Sequence, residues 1–324
     1  MLKVLYAGSP DASAVTLKIL LEKAGSCGYE IAGILTNPPS AKGRHKALIP
    51  TPVAQLAEQN GIPVFSPEHL DSAAREEVQK IGADILVVFA YGHIFGPKFM
   101  SLFKFGGVNL HPSALPKYRG CTPVNAALLN GDEKTAFTVQ TISQKMDEGN
   151  ILCQKEIALS GKETSVSLLN NAAEDGAELL ASLLKEISEN GAVPEGIVQS
   201  GEASYTGIIT KEDAKLDWSK SSSEIDCAVR AYYEDPSAWT IEKGLPLKII
   251  EGKKLSDEEG VALGASLEAA PGTVAVFAKS AGILVRCGHG FYAVTKLQRQ
   301  GKNAMDYKSF MNGARDFVGI VLSL

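Results

Sequence analysis

Apolar and polar positions along the first half of the chain follow two alternating patterns. Short runs of apolar β-formers, such as residues 83–90, have the length and composition of strands that are covered on both faces. Stretches with a helical spacing of apolar residues lie between these runs. Because strands that alternate with helices build parallel sheets, the pattern predicts an α/β domain with a Rossmann-like, mostly parallel sheet. The predicted strands are 3–7, 31–36, 62–65, 83–90, 108–111, 136–142 and 152–158, and the predicted helices are 14–23, 51–60, 73–80, 97–104, 123–129 and 164–190.

The pattern changes after residue 190. Residues 193–202 form a polar stretch that contains glycine and proline, which is typical of a connector. After a predicted helix over 222–233, short alternating segments follow, at residues 247–250, 272–278, 282–287 and 291–297, and the glycines between them indicate turns. Several short strands of this kind predict a smaller, OB-like β-barrel. We therefore expect a first domain over 1–190, a linker over 191–207 and a second domain over 208–324, with an acidic surface loop at 256–270.

Composition narrows the class of protein without naming a function. The formal charge of −5 carries no whole-chain signature of nucleic-acid binding, and no apolar run approaches the roughly 20 residues that span a membrane. The five cysteines are scattered and form no Cys-x-x-Cys pair, which favours reduced thiols over a disulfide framework or a zinc site. The chain enters a strand directly, without the apolar core of a signal peptide. We expect a cytoplasmic protein, a monomer, with no membrane contact and no metal.

The turn after the first predicted strand is where a dinucleotide-binding protein would carry its glycine motif. Gly8 permits a tight turn, Ser9 is predicted to cap the following helix, and Pro10 suits its first position. A dinucleotide-binding turn requires the pattern Gly-x-Gly-x-x-Gly, and only one glycine is present. This turn therefore indicates a structural role, which disfavours a Rossmann oxidoreductase.

The strongest candidate chemistry lies at the ends of two neighbouring strands. Residues two apart on a strand point to the same face, so Asn109 and His111 are predicted to stand side by side. Pro112 and Pro116 then stiffen the loop that follows. The run Phe89-Ala90-Tyr91-Gly92 ends the preceding strand, at the edge where open α/β sheets bind ligands. Taken alone, an aspartate such as Asp147 is usually a turn residue, but its loop belongs to the same predicted sheet.

Two basic regions allow two interpretations each. Lys42, Arg44 and Lys46 lie in a loop without periodicity, which is either a solvated connection or a cationic arm that contacts phosphates. From residue 271 onward, seven basic residues oppose two acidic ones, for a net charge of +5. These basic residues either belong to an ordinary charged surface or, on a partly open barrel, form a surface that binds nucleic acid.

Several spaced motifs coincide with those of a known family. The chain carries Asn109-x-His111-x-Ser113-x-Leu115-Pro116-x-Tyr118-Arg119-Gly120, followed about thirty-five residues later by Asp147-x-Gly149. This combination resembles the signature of the folate-dependent formyltransferases, although Ala114 replaces the usual leucine. The opening Tyr-Ala-Gly-Ser-Pro-Asp and the basic loop are similar to those of the family that formylates methionyl-tRNA, and the resemblance extends over nearly the whole chain.

The resemblance implies a reaction and a role for each motif. The enzyme would transfer the formyl group of 10-formyltetrahydrofolate to the α-amino group of methionine on initiator tRNA, for translation initiation, without a metal. Asn109, His111 and Asp147 would be catalytic, and Lys42, Arg44 and Lys46 would contact the tRNA. The folate would bind against Phe89, Ala90, Tyr91 and Gly92 and against Ser113, Ala114, Leu115 and Pro116.

Other functions remain open at this level. The same first domain could formylate the amine of a nucleotide sugar or hydrolyse 10-formyltetrahydrofolate, but such chains give no reason for a basic loop together with a basic barrel. A non-catalytic RNA-binding protein with a degenerate enzyme domain is a further alternative. The intact Asn109, His111 and Asp147 argue against it.

Overall fold

The structure is a computed structural model that describes residues 1–42 and 47–323. These residues form two compact units. The first contains residues 1–123, 134–158 and 167–207, and the second contains 124–133, 159–166 and the chain from Ile208 onward.

The helices and strands alternate through the first two thirds of the chain as the sequence pattern predicts. In chain order they are β1 (Leu2–Ala7), α1 (Asp11–Lys23), β2 (Tyr29–Leu35), β3 (Ser40–Lys42), β4 (Ala47–Ile49), α2 (Pro52–Gln59), β5 (Val64–Phe65), α3 (Ser72–Ile81), β6 (Ile85–Val88), α4 (Pro97–Met100), β7 (Gly107–His111), β8 (Arg119–Gly120), α5 (Pro123–Leu129), β9 (Lys134–Thr141), β10 (Ile151–Ala158), α6 (Ser165–Asn190) and β11 (Tyr205–Thr206).

The first unit is built on a sheet that has seven strands among the described residues, in the order β10-β9-β7-β6-β1-β2-β5. Five neighbouring strands of this sheet are parallel, namely β5, β2, β1, β6 and β7. Strands β9 and β10 follow beside β7 and are antiparallel to their neighbours. The central strands β1 and β6 are buried almost throughout, which explains why their sequences are continuous apolar runs. This arrangement confirms the predicted α/β class and the mostly parallel sheet.

The second unit is built on antiparallel strands. Its later elements are α7 (Ser222–Ala231), β12 (Trp239–Glu242), β13 (Leu245–Leu255), α8 (Asp257–Ala262), β14 (Val274–Ala278), β15 (Gly282–Arg286), β16 (Phe291–Arg299), β17 (Met305–Asp306) and α9 (Tyr307–Asn312). The strands pair in the order β12-β13-β16-β15-β14, with β17 on β16. The apolar faces of these strands and of α7 share one core cluster, which includes Trp218 and Tyr292.

The last described residues join the two edges of this sheet. Ile241 of β12 exchanges main-chain hydrogen bonds of 3.0 and 3.1 Å with Ser323. On the other edge, Val274 of β14 donates to Ile320 and accepts from Gly319, each at 2.8 Å. Residues 319–323 therefore cover both free edges of the sheet, which completes the small barrel that the sequence predicts.

We expect Leu322→Ala to lower the free energy of unfolding of the second unit by about 2–5 kcal/mol, because Leu322 is 2% exposed and fills the barrel core. Val321→Ala is the matched control, because the neighbouring Val321 side chain is 55% exposed. The control should change stability by no more than about 0.5 kcal/mol. Thermal unfolding of both variants checks this expectation, and equal losses would contradict the role of Leu322.

Two details of the sequence prediction are wrong. Helix α1 begins at Asp11 with Pro10 as its cap residue, and Ser9 does not cap it. Ser9 lies one residue before the cap position, and its hydroxyl instead accepts a hydrogen bond from the main-chain N–H of Asn37 at 3.1 Å. The acidic stretch 256–270 is not all loop, because Ser256 and Glu259 form a capping box that begins α8.

Candidate active site

Two parallel strands deliver the predicted site residues to one edge of the sheet. Val88, the last residue of β6, pairs with Asn109 of β7, so the segment 89–92 leaves the sheet beside Asn109 and His111. The backbone of Ala90 has a φ of +53°, which turns the chain sharply at this edge. Asn109 and His111 lie on the same face of β7, as the strand periodicity predicts.

Asp147 lies at the centre of the site, in the loop between β9 and β10. Its Oδ1 accepts a hydrogen bond of 2.8 Å from Gln140 Nε2 and a longer one, 3.4 Å, from Asn109 Nδ2. The same oxygen is 3.6 Å from His111 Nδ1, which places the imidazole beside the carboxylate without a short hydrogen bond. Oδ2 accepts from the main-chain N–H of Gly120 at 2.8 Å. Three hydrogen-bond donors therefore hold the Asp147 side chain, which is 13% exposed, in place.

The tautomer of His111 follows from its other nitrogen. Nε2 is 2.9 Å from the main-chain oxygen of Tyr118, which can only accept, so Nε2 carries the proton. In the neutral ring, Nδ1 is then a free lone pair on the side of Asp147. Burial lowers the pKa of His111 below its usual value, although the charge of Asp147 and the bond to Tyr118 act in the opposite direction. His111 is therefore neutral at pH 7, with one nitrogen available to take a proton.

The loop that follows His111 is held by its own hydroxyl and main-chain groups. Ser113 Oγ donates to the carbonyl oxygen of Lys117 at 2.6 Å, and the Ser113 carbonyl oxygen accepts from Thr138 Oγ1 at 2.7 Å. The Leu115–Pro116 peptide bond is cis. Ser113 and Leu115 are buried, whereas Ala114 and Pro116 are half-buried. A loop of this kind presents mainly main-chain groups to a ligand.

The segment after β6 carries a buried tyrosine. Phe89 and Tyr91 are buried and Ala90 and Gly92 are exposed, so side chains and main chain alternate at the sheet edge. The Tyr91 hydroxyl has no hydrogen-bond partner within the described residues, and burial raises its pKa to about 12. The Tyr91 ring stacks on Phe95, with 5.6 Å between the ring centroids. Its carbonyl oxygen accepts a hydrogen bond from Asn37 Nδ2.

Two glutamines of the site were not predicted from the sequence. Gln140 lies on β9 directly opposite Asn109, and its amide donates to the Asp147 carboxylate. Gln199 lies within the predicted linker, and its Nε2 is 2.8 Å from the carbonyl oxygens of both Asp147 and Gly149. The strand register could have indicated Gln140 once β7 and β9 were known to pair. No local pattern in the sequence marks Gln199.

Comparisons with known proteins place this site in a family. A model described as formyl transferase matches residues 2–184, and one described as formyl transferase, C-terminal domain, matches residues 208–315. The chain is 36% identical, over 98% of its length and 98% of the relative, to the methionyl-tRNA formyltransferase of Treponema denticola. The protein of that name from Treponema pallidum is 33% identical over 97% of each chain.

The chain belongs to the methionyl-tRNA formyltransferase family. The family, the class of enzyme and the fold class expected from the motifs are thereby confirmed. The formyl transferase match includes Asn109, His111 and Asp147. The catalytic roles of these three residues stay predictions.

Solved structures share the fold of this formyltransferase. The N-formyltransferase of Helicobacter canadensis, in complex with folinic acid and dTDP-3-aminofucose, superimposes with a TM-score of 0.63 at 20% identity, over 92% of this chain and 100% of that one. The methionyl-tRNA formyltransferase of Clostridium thermocellum gives a TM-score of 0.56 at 15% identity, over 78% and 93% of the two chains. At these identities the likeness concerns the fold.

Of the three residues predicted to contact tRNA, the structure describes Lys42 alone. Lys42 ends β3, which pairs antiparallel with β4, whereas the sequence predicts a loop without periodicity here. Arg44 and Lys46 lie outside the described residues.

No helix in the described part of this formyltransferase is both long and apolar enough to span a bilayer.

Proposed function

We propose that this enzyme transfers the formyl group of 10-formyltetrahydrofolate to the α-amino group of methionine on initiator tRNA. The observation that carries the catalytic assignment is the convergence of Asn109, Gln140 and Gly120 on the Asp147 carboxylate, with the neutral His111 beside it. This arrangement supplies both a hydrogen-bond donor and a proton acceptor at the edge where the sheet binds ligands. The reaction belongs to translation initiation, so we place the enzyme in the cytoplasm.

The chemistry requires two things of the protein. When the amine attacks the formyl carbon, the carbonyl oxygen gains negative charge, and Asn109 Nδ2 can donate to it because its bond to Asp147 is long. The attacking amine must also lose a proton, and N10 of tetrahydrofolate must gain one when the carbon–nitrogen bond breaks. We assign this transfer to Asp147 and His111 Nδ1 acting as one coupled acid–base pair.

The formyl donor is proposed to bind between two segments of main chain. These are Phe89 to Gly92, after β6, and Ser113 to Pro116, after β7. Because β6 and β7 are neighbours, both segments border Asn109 and His111. Main-chain N–H and C=O groups suit the pterin ring, which presents donors and acceptors along one edge.

Formyl transfer by the purified protein tests the proposed function directly. The assay supplies 10-formyltetrahydrofolate and initiator methionyl-tRNA and measures N-formylmethionine on the tRNA. Free methionine, a nucleotide-linked amino sugar and a reaction without acceptor serve as controls, and the last detects hydrolysis of the folate. The proposal fails if no formylmethionyl-tRNA forms with both substrates in excess, or if the amino sugar is the better acceptor.

The second domain is proposed to bind tRNA, together with the basic loop. In this proposal residues 1–190 are catalytic, 191–207 connect, and 208–324 bind the tRNA. The net charge of +5 from residue 271 onward needs one refinement, because three of the seven basic residues in this stretch already have acidic partners: Arg286 pairs with Asp257, Lys296 with Glu251 and Arg299 with Glu242. Within the described residues no ion pair involves the remaining four, which are Lys279, Lys302, Lys308 and Arg315. These four are the basic residues of this stretch that remain for phosphate contact.

Arg44→Ala is expected to raise the KM for methionyl-tRNA and to leave folate binding unchanged, because a phosphate contact acts on the tRNA alone. The salt dependence of tRNA binding should also weaken, by a slope of about 0.7–0.9 for each phosphate that the variant no longer neutralises. Lys80→Ala, which removes an exposed lysine of α3, is the control and should change neither quantity. An unchanged salt slope in the Arg44 variant would assign this loop to a solvated connection.

A further inference from the structure

The segment that follows α6 is bound to the active-site loops along its length. Ile197 and Ile151, the first residue of β10, exchange two main-chain hydrogen bonds of 2.8 Å each. The side chains of Ile197 and Val198 are exposed, at 73% and 72%, whereas the next residue, Gln199, is half-buried. The main chain thus anchors the segment, and Gln199 is the side chain that it directs inward.

The Gln199 amide contacts the Asp147 loop through its nitrogen. Nε2 lies 2.8 Å from the carbonyl oxygen of Asp147, 2.8 Å from that of Gly149, and 3.2 Å from Gln140 Oε1. Asp147 has a φ of +53°, a conformation that side chains rarely adopt without support from their surroundings. The Gln199 amide nitrogen therefore binds two carbonyl oxygens of this turn. It also binds the side chain of Gln140, which donates to the Asp147 carboxylate.

The oxygen of the same amide fixes its orientation. Gln199 Oε1 accepts two hydrogen bonds from Arg119, from Nε at 3.1 Å and from Nη2 at 2.8 Å. The third nitrogen of Arg119, Nη1, is 2.8 Å from the Tyr205 hydroxyl and 3.1 Å from Glu148 Oε1. Since a guanidinium can only donate, Oε1 must face Arg119 and Nε2 must face Asp147.

A second contact of the segment acts on His111. Ser204 Oγ accepts a hydrogen bond of 2.9 Å from the main-chain N–H of Tyr118, the residue whose carbonyl oxygen fixes the tautomer of His111. Strands β8 and β11 pair directly afterwards, Gly120 against Thr206. A Cβ on Gly120 would lie 2.2 Å from the Thr206 oxygen, so glycine is required for the N–H that binds Asp147 to reach its position.

We propose that Gln199 is a positioning residue for Asp147, so that residues 197–206 complete the active site as well as connecting the domains. Gln199 touches no reacting atom in this proposal; it holds the main chain at and after the carboxylate. The inference rests on the proposed acid–base role of Asp147. Loss of the amide would let the carboxylate shift relative to His111, and a misplacement on the order of 1 Å can cost about 100-fold in rate.

Gln199→Leu and Gln199→Glu test this inference together. Leucine removes both halves of the amide, and glutamate keeps the acceptor for Arg119 but cannot donate to Asp147 and Gly149. We expect both variants to lower kcat by about 10- to 100-fold, with the KM for methionyl-tRNA and folate affinity within about three-fold of wild type. Gln55→Leu is the matched control, since exposed Gln55 donates to the main-chain oxygen of Pro50 at 2.8 Å. It should retain wild-type kcat.

The decisive measurement repeats Gln199→Leu in an Asp147→Asn background. If Gln199 acts through Asp147, its removal there should cost nothing further, whereas a general structural role would lower kcat by the same factor in both backgrounds. Equal factors, full kcat in Gln199→Leu, or a parallel loss of folate affinity would each overturn the inference. Should Gln199→Leu not fold, Arg119→Lys, which cannot donate twice to Gln199, serves in the same cycle. A wild-type protein without formyl transfer would instead refute the proposed function.

Discussion

Asp147→Asn is expected to lower kcat by about 10²- to 10⁴-fold, the range for a group that takes or gives a proton in the transition state. The asparagine keeps the size of the side chain and suits the backbone, because Asn tolerates the φ of +53° that Asp147 adopts. It cannot satisfy the same donors. Oδ1 accepts from Gln140 and Oδ2 from Gly120, and an amide presents its own N–H to one of them.

The measurement for this variant is single-turnover formyl transfer with both substrates saturating. Thermal unfolding and folate titration accompany it. Folate affinity should stay close to wild type, because the main-chain groups proposed to hold the folate are unchanged. Thermal unfolding measures the stability lost where the amide meets the donor of Gln140 or of Gly120, which we expect to be about 1–3 kcal/mol. Asp175→Asn is the matched control. Asp175 lies on α6 and pairs at the surface with Lys155, an interaction that contributes at most about 1 kcal/mol. Wild-type kcat in Asp147→Asn would move the acid–base role to another residue.

The sequence predicts the local parts of this site well, because strand periodicity and turn residues act over short distances. Asn109 and His111 lie on one face of β7 as alternation requires. The neighbouring strand end at residues 89–92 follows from the order of the parallel strands. The first case is decided within a few residues of chain, the range over which periodicity decides structure. The second follows because strands that are consecutive in sequence are commonly neighbours in a parallel sheet.

The rest of the site depends on contacts between residues distant in sequence. Gln199 is 52 positions from Asp147 and 80 from Arg119, so no local pattern relates them. The sequence predicts a linker over residues 191–207, and in the structure the main chain of this segment pairs with β8 and β10. Ion pairs in the second domain likewise join residues that are distant in sequence. Arg299 counted as free positive charge in the sequence, but Glu242, 57 positions earlier, neutralises it.

The second large effect concerns His111. We expect His111→Asn to lower kcat by about 10²- to 10⁴-fold, because the variant lacks the free Nδ1 that completes the proton-transfer pair. His69→Asn is the control, since His69 is an exposed loop histidine, and it should leave turnover unchanged. Turnover alone does not separate a missing proton acceptor from a missing hydrogen bond, so the pH dependence of stability is the second measurement.

The same substitution should reduce the acid sensitivity of folding. Burial holds the pKa of His111 in the folded protein below its value of about 6.5 in the unfolded chain. As pH falls below that value, the unfolded chain binds a proton that the folded protein does not, so wild-type stability falls. The slope from this one group approaches about 1.4 kcal/mol per pH unit until the folded-state pKa is reached. Unfolding measured between pH 7 and 5 should therefore give a shallower decline for His111→Asn than for wild type or for His69→Asn. An equal decline would mean that folding does not lower the pKa of His111. A steeper decline would mean that folding raises this pKa, in which case a protonated Nδ1 would donate to Asp147 and could not accept the amine proton.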